Sequence, residues 1–172
     1  MGIKRYAAAA AVAALTAGAI IAAPVSANPI GPGAGCTPGF WKNHTDWKSY
    51  DDNSNATADD FGPNTNVQDA LRITVPGGYG DLGSWTTMQA LNGKGGSTLY
   101  GAGQILLRAS VSSYLNADAA LDFPLRRFTT GLNEAPSMQS QIQAALDSKD
   151  RNQIVALATT FDGLNNANCP LS

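Results

Sequence analysis

The sequence predicts a mainly α, compact single domain: one central buried helix, two C-terminal amphipathic helices, a long Gly/Asn-rich loop region, and ends joined by a disulfide. Three observations predict it. From Leu99 to Asn116 apolar residues cover most of a helical circumference, leaving Gln104, Arg108 and Ser112 as one narrow polar stripe. Segments opening at Ser137 and Asp150 carry apolar residues at helical spacing. Cys36 and Cys169 stand near the two ends of the chain that remains once an N-terminal leader is removed.

The leader comes first in chain order. Lys4 and Arg5 precede an apolar run from Ala7 to Ala23, and Pro24-Val25-Ser26-Ala27 supplies a break with small residues. This is the pattern of a secretory signal cut after Ala27. As a membrane anchor the run, mostly Ala and Gly, is short for a hydrocarbon core. No second apolar stretch approaches spanning length, so the mature protein is expected outside the cytoplasm with no membrane partner. The expected organisation is a signal peptide over 1–27, a Pro/Gly linker over 28–35 and a single secreted helical domain over 36–172.

Thr37 is placed to cap a helix with Pro38 in its first turn, and Phe40, His44 and Trp47 at i, i+4 and i+7 put His44 on the apolar face. From Asp51 to Asn66 no hydrophobic period survives, which predicts a loop. Leu71-Arg72-Ile73-Thr74-Val75 reads as a short strand stopped by Pro76-Gly77-Gly78. Trp85, Met88 and Leu91 predict a short helix before the breaker Asn92 to Gly96. The central helix is capped at Ser97 or Thr98. Ser137 then caps a helix with Met138, Ile142, Ala145 and Leu146 inward, and Asp150 with Gln153 resembles a capping box ahead of Ile154, Leu157, Ala158, Phe161 and Leu164. Internal repeats and heptad runs are absent.

Charge narrows the partners. The chain of 172 residues has 11 basic and 13 acidic side chains, and the leader removes two of the basic ones. The mature domain is therefore acidic, with Arg126-Arg127 its only basic pair of note, and nucleic acid is not an expected partner. The pairs Asp51-Asp52 and Asp59-Asp60 read as solvated loop charge. In an oxidising compartment the two cysteines read as a disulfide. On the chain-entropy account, closing so long a loop stabilises by about 5 kcal/mol. The rival reading, metal ligation with His44, matches no common zinc spacing.

Four segments carry a resemblance: "GCTPGFWKNH" from Gly35 to His44, "ASVSSYLNA" from Ala109 to Ala117, Asp122-Phe123-Pro124-Leu125, and Leu164-Asn165-Asn166 with Cys169-Pro170-Leu171. In these the chain resembles a family of secreted or surface-exposed bacterial proteins that open with Cys-Thr…Gly-(Phe/Tyr)-Trp-Lys-Asn-His and close with Asn-Asn…Cys. The likeness spans nearly the whole mature chain. It implies compartment and fold and transfers no catalytic residue. Members often have proline after the histidine; Thr45 stands there in this chain, which would let the first helix run further.

The chemistry available is limited. His44 is the only histidine, and with both cysteines oxidised a serine would have to be the nucleophile of any triad. No Gly-x-Ser-x-Gly elbow is present. Gly78 to Gly83, "GYGDLG", lacks the lysine and the strand-loop-helix setting of a phosphate loop. Asp46, Asp51, Asp52, Asp81 and Asp122 offer carboxylates for glycoside cleavage, yet no spacing selects a pair. Asp51 to Asn66 follows no EF-hand pattern for calcium. No cofactor or metal is expected.

Two function classes remain. The favoured one is a noncatalytic extracellular interaction module whose Trp41, Trp47, Tyr79 and Trp85 would stack on a glycan or pack on a partner. The alternative is a small secreted hydrolase using His44 or an Asp pair. The motif residues Phe40, Trp41, Lys42, Asn43, His44, Trp47, Asn165 and Asn166 are structural or binding candidates. His44 is expected as a buried neutral clasp bonded to backbone or to Asn165-Asn166. Lys42, Asn43 and Arg108 are expected to serve the fold, Arg108 by meeting Asp162 or a terminal carbonyl.

Overall fold

Helix caps set the frame of the domain. The structure, a computed structural model, describes residues 33–50, 62–119, 121, 123–128 and 135–171. The expected signal peptide, most of the linker and most of the Asp51 to Asn66 loop lie outside the described residues. Six α-helices lie among those described: α1 (Pro38–Asn43), α2 (Val67–Leu71), α3 (Thr87–Leu91), α4 (Leu99–Asp118), α5 (Met138–Ser148) and α6 (Arg151–Asn165). Two 3-10 turns, Trp47–Tyr50 and Leu82–Ser84, stand between them. Five helix starts follow one rule, in which a side-chain oxygen at the cap accepts an orphan amide: Thr37, Asn66, Thr98, Ser137 and Asp150. The sixth start, Thr86 of α3, adds the reciprocal bond from the Thr86 amide to Gln89 and forms a complete capping box. At Asp150 the expected box is partial. Gln153 bonds to the Asp150 carboxylate, while the Asp150 amide goes to Ser148 Oγ.

α4 is the central element. It packs chiefly on α6 and also touches α1, α2, α3 and α5. Leu106, Leu107, Val111, Tyr114 and Leu115 are buried on it, together with Ser110, Ser112, Ser113 and Asn116. Of the expected polar stripe, Gln104 and Arg108 are half-buried, but Ser112 is inside. The largest other fully buried side chains are Trp41, Leu71, Tyr79, Leu82, Met138, Ile142, Leu146, Ile154 and Phe161. No helix among the described residues is long and apolar enough to cross a membrane.

Two local expectations are overturned. Leu71 to Val75 forms no strand: Leu71 ends α2, Arg72 turns left-handed at φ 51°, and the Ile73 amide closes the helix end on the Gln68 carbonyl at 3.0 Å. Glutamine side chains then take the bonds a neighbouring strand would have made. Gln143 pairs with both the amide and the carbonyl of Thr74, Gln139 donates to the Arg72 carbonyl, and Gln68 accepts from the Val75 amide. With those groups satisfied, β-branched composition alone does not make a strand.

The first helix does not run through Trp47. α1 stops at Asn43, and His44 leaves helical geometry at φ −116°, ψ 78°. The Trp41 carbonyl, which a continued helix would offer to Thr45, accepts instead from Trp47 Nε1 at 3.0 Å. Residues 42–46 are exposed, so a longer helix would bury nothing in return.

Candidate functional site

The opening and closing motifs meet on the buried face of α4. Cys36 and Cys169 form the disulfide that ties the ends together. A bridged sulfur is no thiolate, so thiolate-metal ligation by this pair is removed. Beside the bridge lies Asn116, fully buried, whose carboxamide uses its whole hydrogen-bonding capacity. Its Oδ1 accepts from the Cys36 amide at 2.8 Å and from Trp41 Nε1 at 2.9 Å. Its Nδ2 donates to the Cys36 carbonyl at 2.9 Å and to Asn165 Oδ1 at 2.8 Å. One side chain thus joins the Cys-Thr-Pro-Gly-Phe-Trp segment to the Asn-Asn segment.

Serines complete this clasp. Ser112 Oγ donates to the Cys36 carbonyl and Ser113 Oγ to Asn165 Oδ1, while Asn165 Nδ2 reaches the Ala109 carbonyl. Gly35 explains its own place: its amide bonds to the Ala167 carbonyl at 2.6 Å, and a Cβ there would run into the Leu164 carbonyl. Sequence reasoning placed Ser112 on the polar stripe and all three of Asn116, Ser112 and Ser113 in the "ASVSSYLNA" segment, but gave none of them a role. The signal that could have found them is polar residues recurring on a helix otherwise apolar nearly all round.

The motif residues divide accordingly. Trp41 and Trp47 are buried, at 0% and 5% exposure, and Asn165 is buried in the clasp. Phe40 is half-buried, edge-on to Trp41 at 5.1 Å and stacked on the His44 ring at 4.0 Å. Lys42, Asn43, His44 and Asn166 are exposed, and Asn166 Nδ2 caps the Asp162 carbonyl at 2.6 Å. The expected burial of His44 is therefore corrected. It sits at the end of α1, with Nδ1 donating to the Phe40 carbonyl at 2.9 Å, while Asn116 and not the histidine makes the clasp to Asn165. Arg108 donates to the Gly93 carbonyl at 3.2 Å. That is a carbonyl just beyond the end of α3.

The remaining candidates separate in the same way. Tyr79 is buried with its hydroxyl on the Leu146 carbonyl at 2.7 Å, which removes it from any surface. Gly78 to Gly83 leads into the 3-10 turn Leu82–Ser84 and not into an anion-binding helix start. Asp46 and Asp81 are exposed; Asp51, Asp52 and Asp122 lie outside the described residues.

Trp85 alone of the four proposed stacking aromatics faces outward in part. It precedes the Thr86 cap, half-buried, edge-on to Tyr100 with ring centroids 6.2 Å apart. Tyr100 donates its hydroxyl to Asp81 at 2.8 Å, and this bond together with that of the Trp85 indole holds the Asp81 carboxyl below its usual range. Trp85 borders a groove of about 330 Å³ whose other walls are Gln89, Asn92, Gly93, Lys94 and Gln104. The loop Asn92 to Gly96 meets the start of α4 at Gly101, whose lack of a side chain permits the contact: a Cβ there would come within 2.6 Å of the Gly96 backbone. Close backbone approach brings the groove walls together.

Comparison with protein-family models, with curated proteins and with solved structures finds no match to this chain.

Proposed function

We propose that the protein is a secreted, noncatalytic interaction module that meets an extracellular partner or glycan through the Trp85 face. The observation that carries this reading is the division among its aromatics. Trp41, Trp47 and Tyr79 are buried with their polar ends bonded inside, whereas Trp85 borders a polar groove. The disulfide fits an extracellular domain. The hydrolase alternative would rest on His44, which stands exposed at the end of α1 with Nδ1 on the Phe40 carbonyl, or on an Asp pair.

The test is adsorption of the purified oxidised protein to intact cells and to insoluble polysaccharides. Trp85→Ala is expected to lose most of the bound fraction, and His44→Ala to keep it. Equal adsorption of Trp85→Ala and the parent protein would overturn the reading. Release of reducing sugar ends that His44→Ala abolishes would put the hydrolase in its place.

A further inference from the structure

We infer that the Trp85 groove is a subsite for one gluco-configured pyranose ring of an extracellular polysaccharide. The inference rests on the interaction-module reading and names the chemistry of its ligand. A groove of about 330 Å³ is at the lower end of small-molecule sites, which run to about 1,000 Å³, and suits one ring better than a folded peptide.

The polar walls are fixed before any ligand arrives. Gln89 Oε1 is held by the Thr86 amide at 2.7 Å, Asn92 Nδ2 by the Met88 carbonyl at 2.8 Å, and Gln104 Oε1 by the Gly95 amide at 2.9 Å. Each bond locks one end of a carboxamide. For two of the three the other end is left for a ligand: the Gln89 amide hydrogens and Asn92 Oδ1 have no hydrogen bond among the described residues, while the Gln104 side chain also bonds to the Tyr100 hydroxyl. Lys94 adds an exposed ammonium on the same rim. Rigid planar amides that offer both donors and an acceptor suit the paired lone pairs and hydrogens of sugar hydroxyls. A ring whose hydroxyls are equatorial presents an apolar C–H face, and Trp85 supplies the flat aromatic surface that takes it. The acidic domain and the single lysine make a polyanionic ligand a poorer fit.

The capping box gives a clean variant. Gln89→Glu keeps the oxygen that caps the Thr86 amide, so α3 and the melting temperature should be preserved. It replaces the two amide hydrogens facing the groove by acceptor lone pairs.

The probes are cellotriose and triacetylchitotriose, titrated into the oxidised protein with tryptophan fluorescence and acrylamide quenching as the readout. Trp41 and Trp47 are buried, so the quenchable signal belongs to Trp85. Binding of at least one trisaccharide should protect Trp85 from quencher. Trp85→Phe, which removes the fluorescent reporter and is therefore read by titration calorimetry, should weaken the association constant several-fold, and Gln89→Glu about fivefold or more at an unchanged melt. No protection by either sugar at 10 mM, taken as roughly the top of the weak-binding range, would overturn the inference; so would binding that Gln89→Glu leaves intact. If neither sugar binds while Trp85→Ala still abolishes adsorption to cells, the sugar subsite is wrong and the interaction module stands. If adsorption is also unchanged, both fall.

Discussion

Replacing Asn116 with alanine removes one carboxamide and breaks four hydrogen bonds at once. The losses are not equal. The Cys36 carbonyl keeps Ser112 Oγ and Asn165 Oδ1 keeps Ser113 Oγ, so two of the four partners retain a bond. The Cys36 amide and the Trp41 indole N–H lose the acceptor that holds both, inside a region with no solvent exposure at Cys36, Trp41 or Asn116. Each buried donor stranded in this way costs about 1–3 kcal/mol, and the space left by the carboxamide adds to that. A loss of about 4 kcal/mol follows, a large share of the roughly 5–15 kcal/mol that separates a folded domain from its unfolded chain. At about 2–4 °C per kcal/mol for a domain of this size, the melting temperature should fall by about 8–16 °C.

The assay is urea unfolding of the oxidised protein followed by tryptophan fluorescence, with Asn166→Ala as the control. Asn166 is exposed and only caps the Asp162 carbonyl, so its loss should cost about 0.5 kcal/mol or less. The reasoning is refuted if Asn116→Ala costs under about 1 kcal/mol, or no more than Asn166→Ala.

Three further outcomes are expected. Ser110 Oγ is buried with no hydrogen-bond partner among the described residues, so Ser110→Ala should raise the urea midpoint, by about 1 kcal/mol of stability; a lower midpoint would mean the hydroxyl is satisfied. Replacing Cys36 and Cys169 together by serine should cost about 5 kcal/mol at most, as expected for a closed loop spanning a sequence separation of 133, and a difference below about 1 kcal/mol in denaturant would contradict the chain-entropy account. Burial pushes the Tyr79 and Tyr114 phenols up from their usual value near 10 by disfavouring the phenolate, and the nearby Asp147 charge adds to the shift at Tyr79. Their stabilisation is complete below the unfolded value and is lost as pH rises above it toward the folded values, so the urea midpoint should drop between pH 9 and 11 (about one unit either side of the free phenol), and it should drop less in Tyr79→Phe.

What was legible in the sequence is mostly what is decided within one turn of chain. Thr37, Ser137 and Asp150 cap the helices they were expected to cap, and Thr98 takes the cap expected at Ser97 or Thr98, since a side chain two or three positions from an orphan amide needs no tertiary help. The central helix and the disulfide were legible from apolar coverage and cysteine placement. Errors arose where a side chain from elsewhere decided the backbone. Val75 and Ile73 read as strand because nothing in their own segment announces that Gln68 and Gln143 will take up its hydrogen bonds. His44 read as buried because the helix was extended past the carbonyl that the Trp47 indole claims. The clasp residue was missed for the same reason: Asn116 lies 75 positions from Trp41 and 49 from Asn165, and only the fold brings them into contact. In the groove, Trp85 read as part of a helix face, although Thr86 and Gln89 already spelled a capping box that places Trp85 outside it.

The clasp and the groove use opposite ends of one helix, and this separates their energetics. Ala109 to Asn116, the C-terminal half of α4, holds the two chain ends through Asn116, Asn165 and the disulfide. Tyr100 to Gln104, the N-terminal half, holds the Asn92 to Gly96 loop and the wall beneath Trp85. Effects at sites with no shared partner add, so a clasp variant should change the unfolding free energy while a folded population of it keeps the parent affinity for a groove ligand. Conversely Gln89→Glu should change affinity at constant stability. An Asn116→Ala protein, measured well below its melting temperature, that bound a trisaccharide as the parent does would show that the motif at the chain ends builds the scaffold and the groove does the recognising. A large affinity loss at full folding would instead place the motif and the groove in one coupled unit, and the rigid helix between them would be the element that carries the coupling.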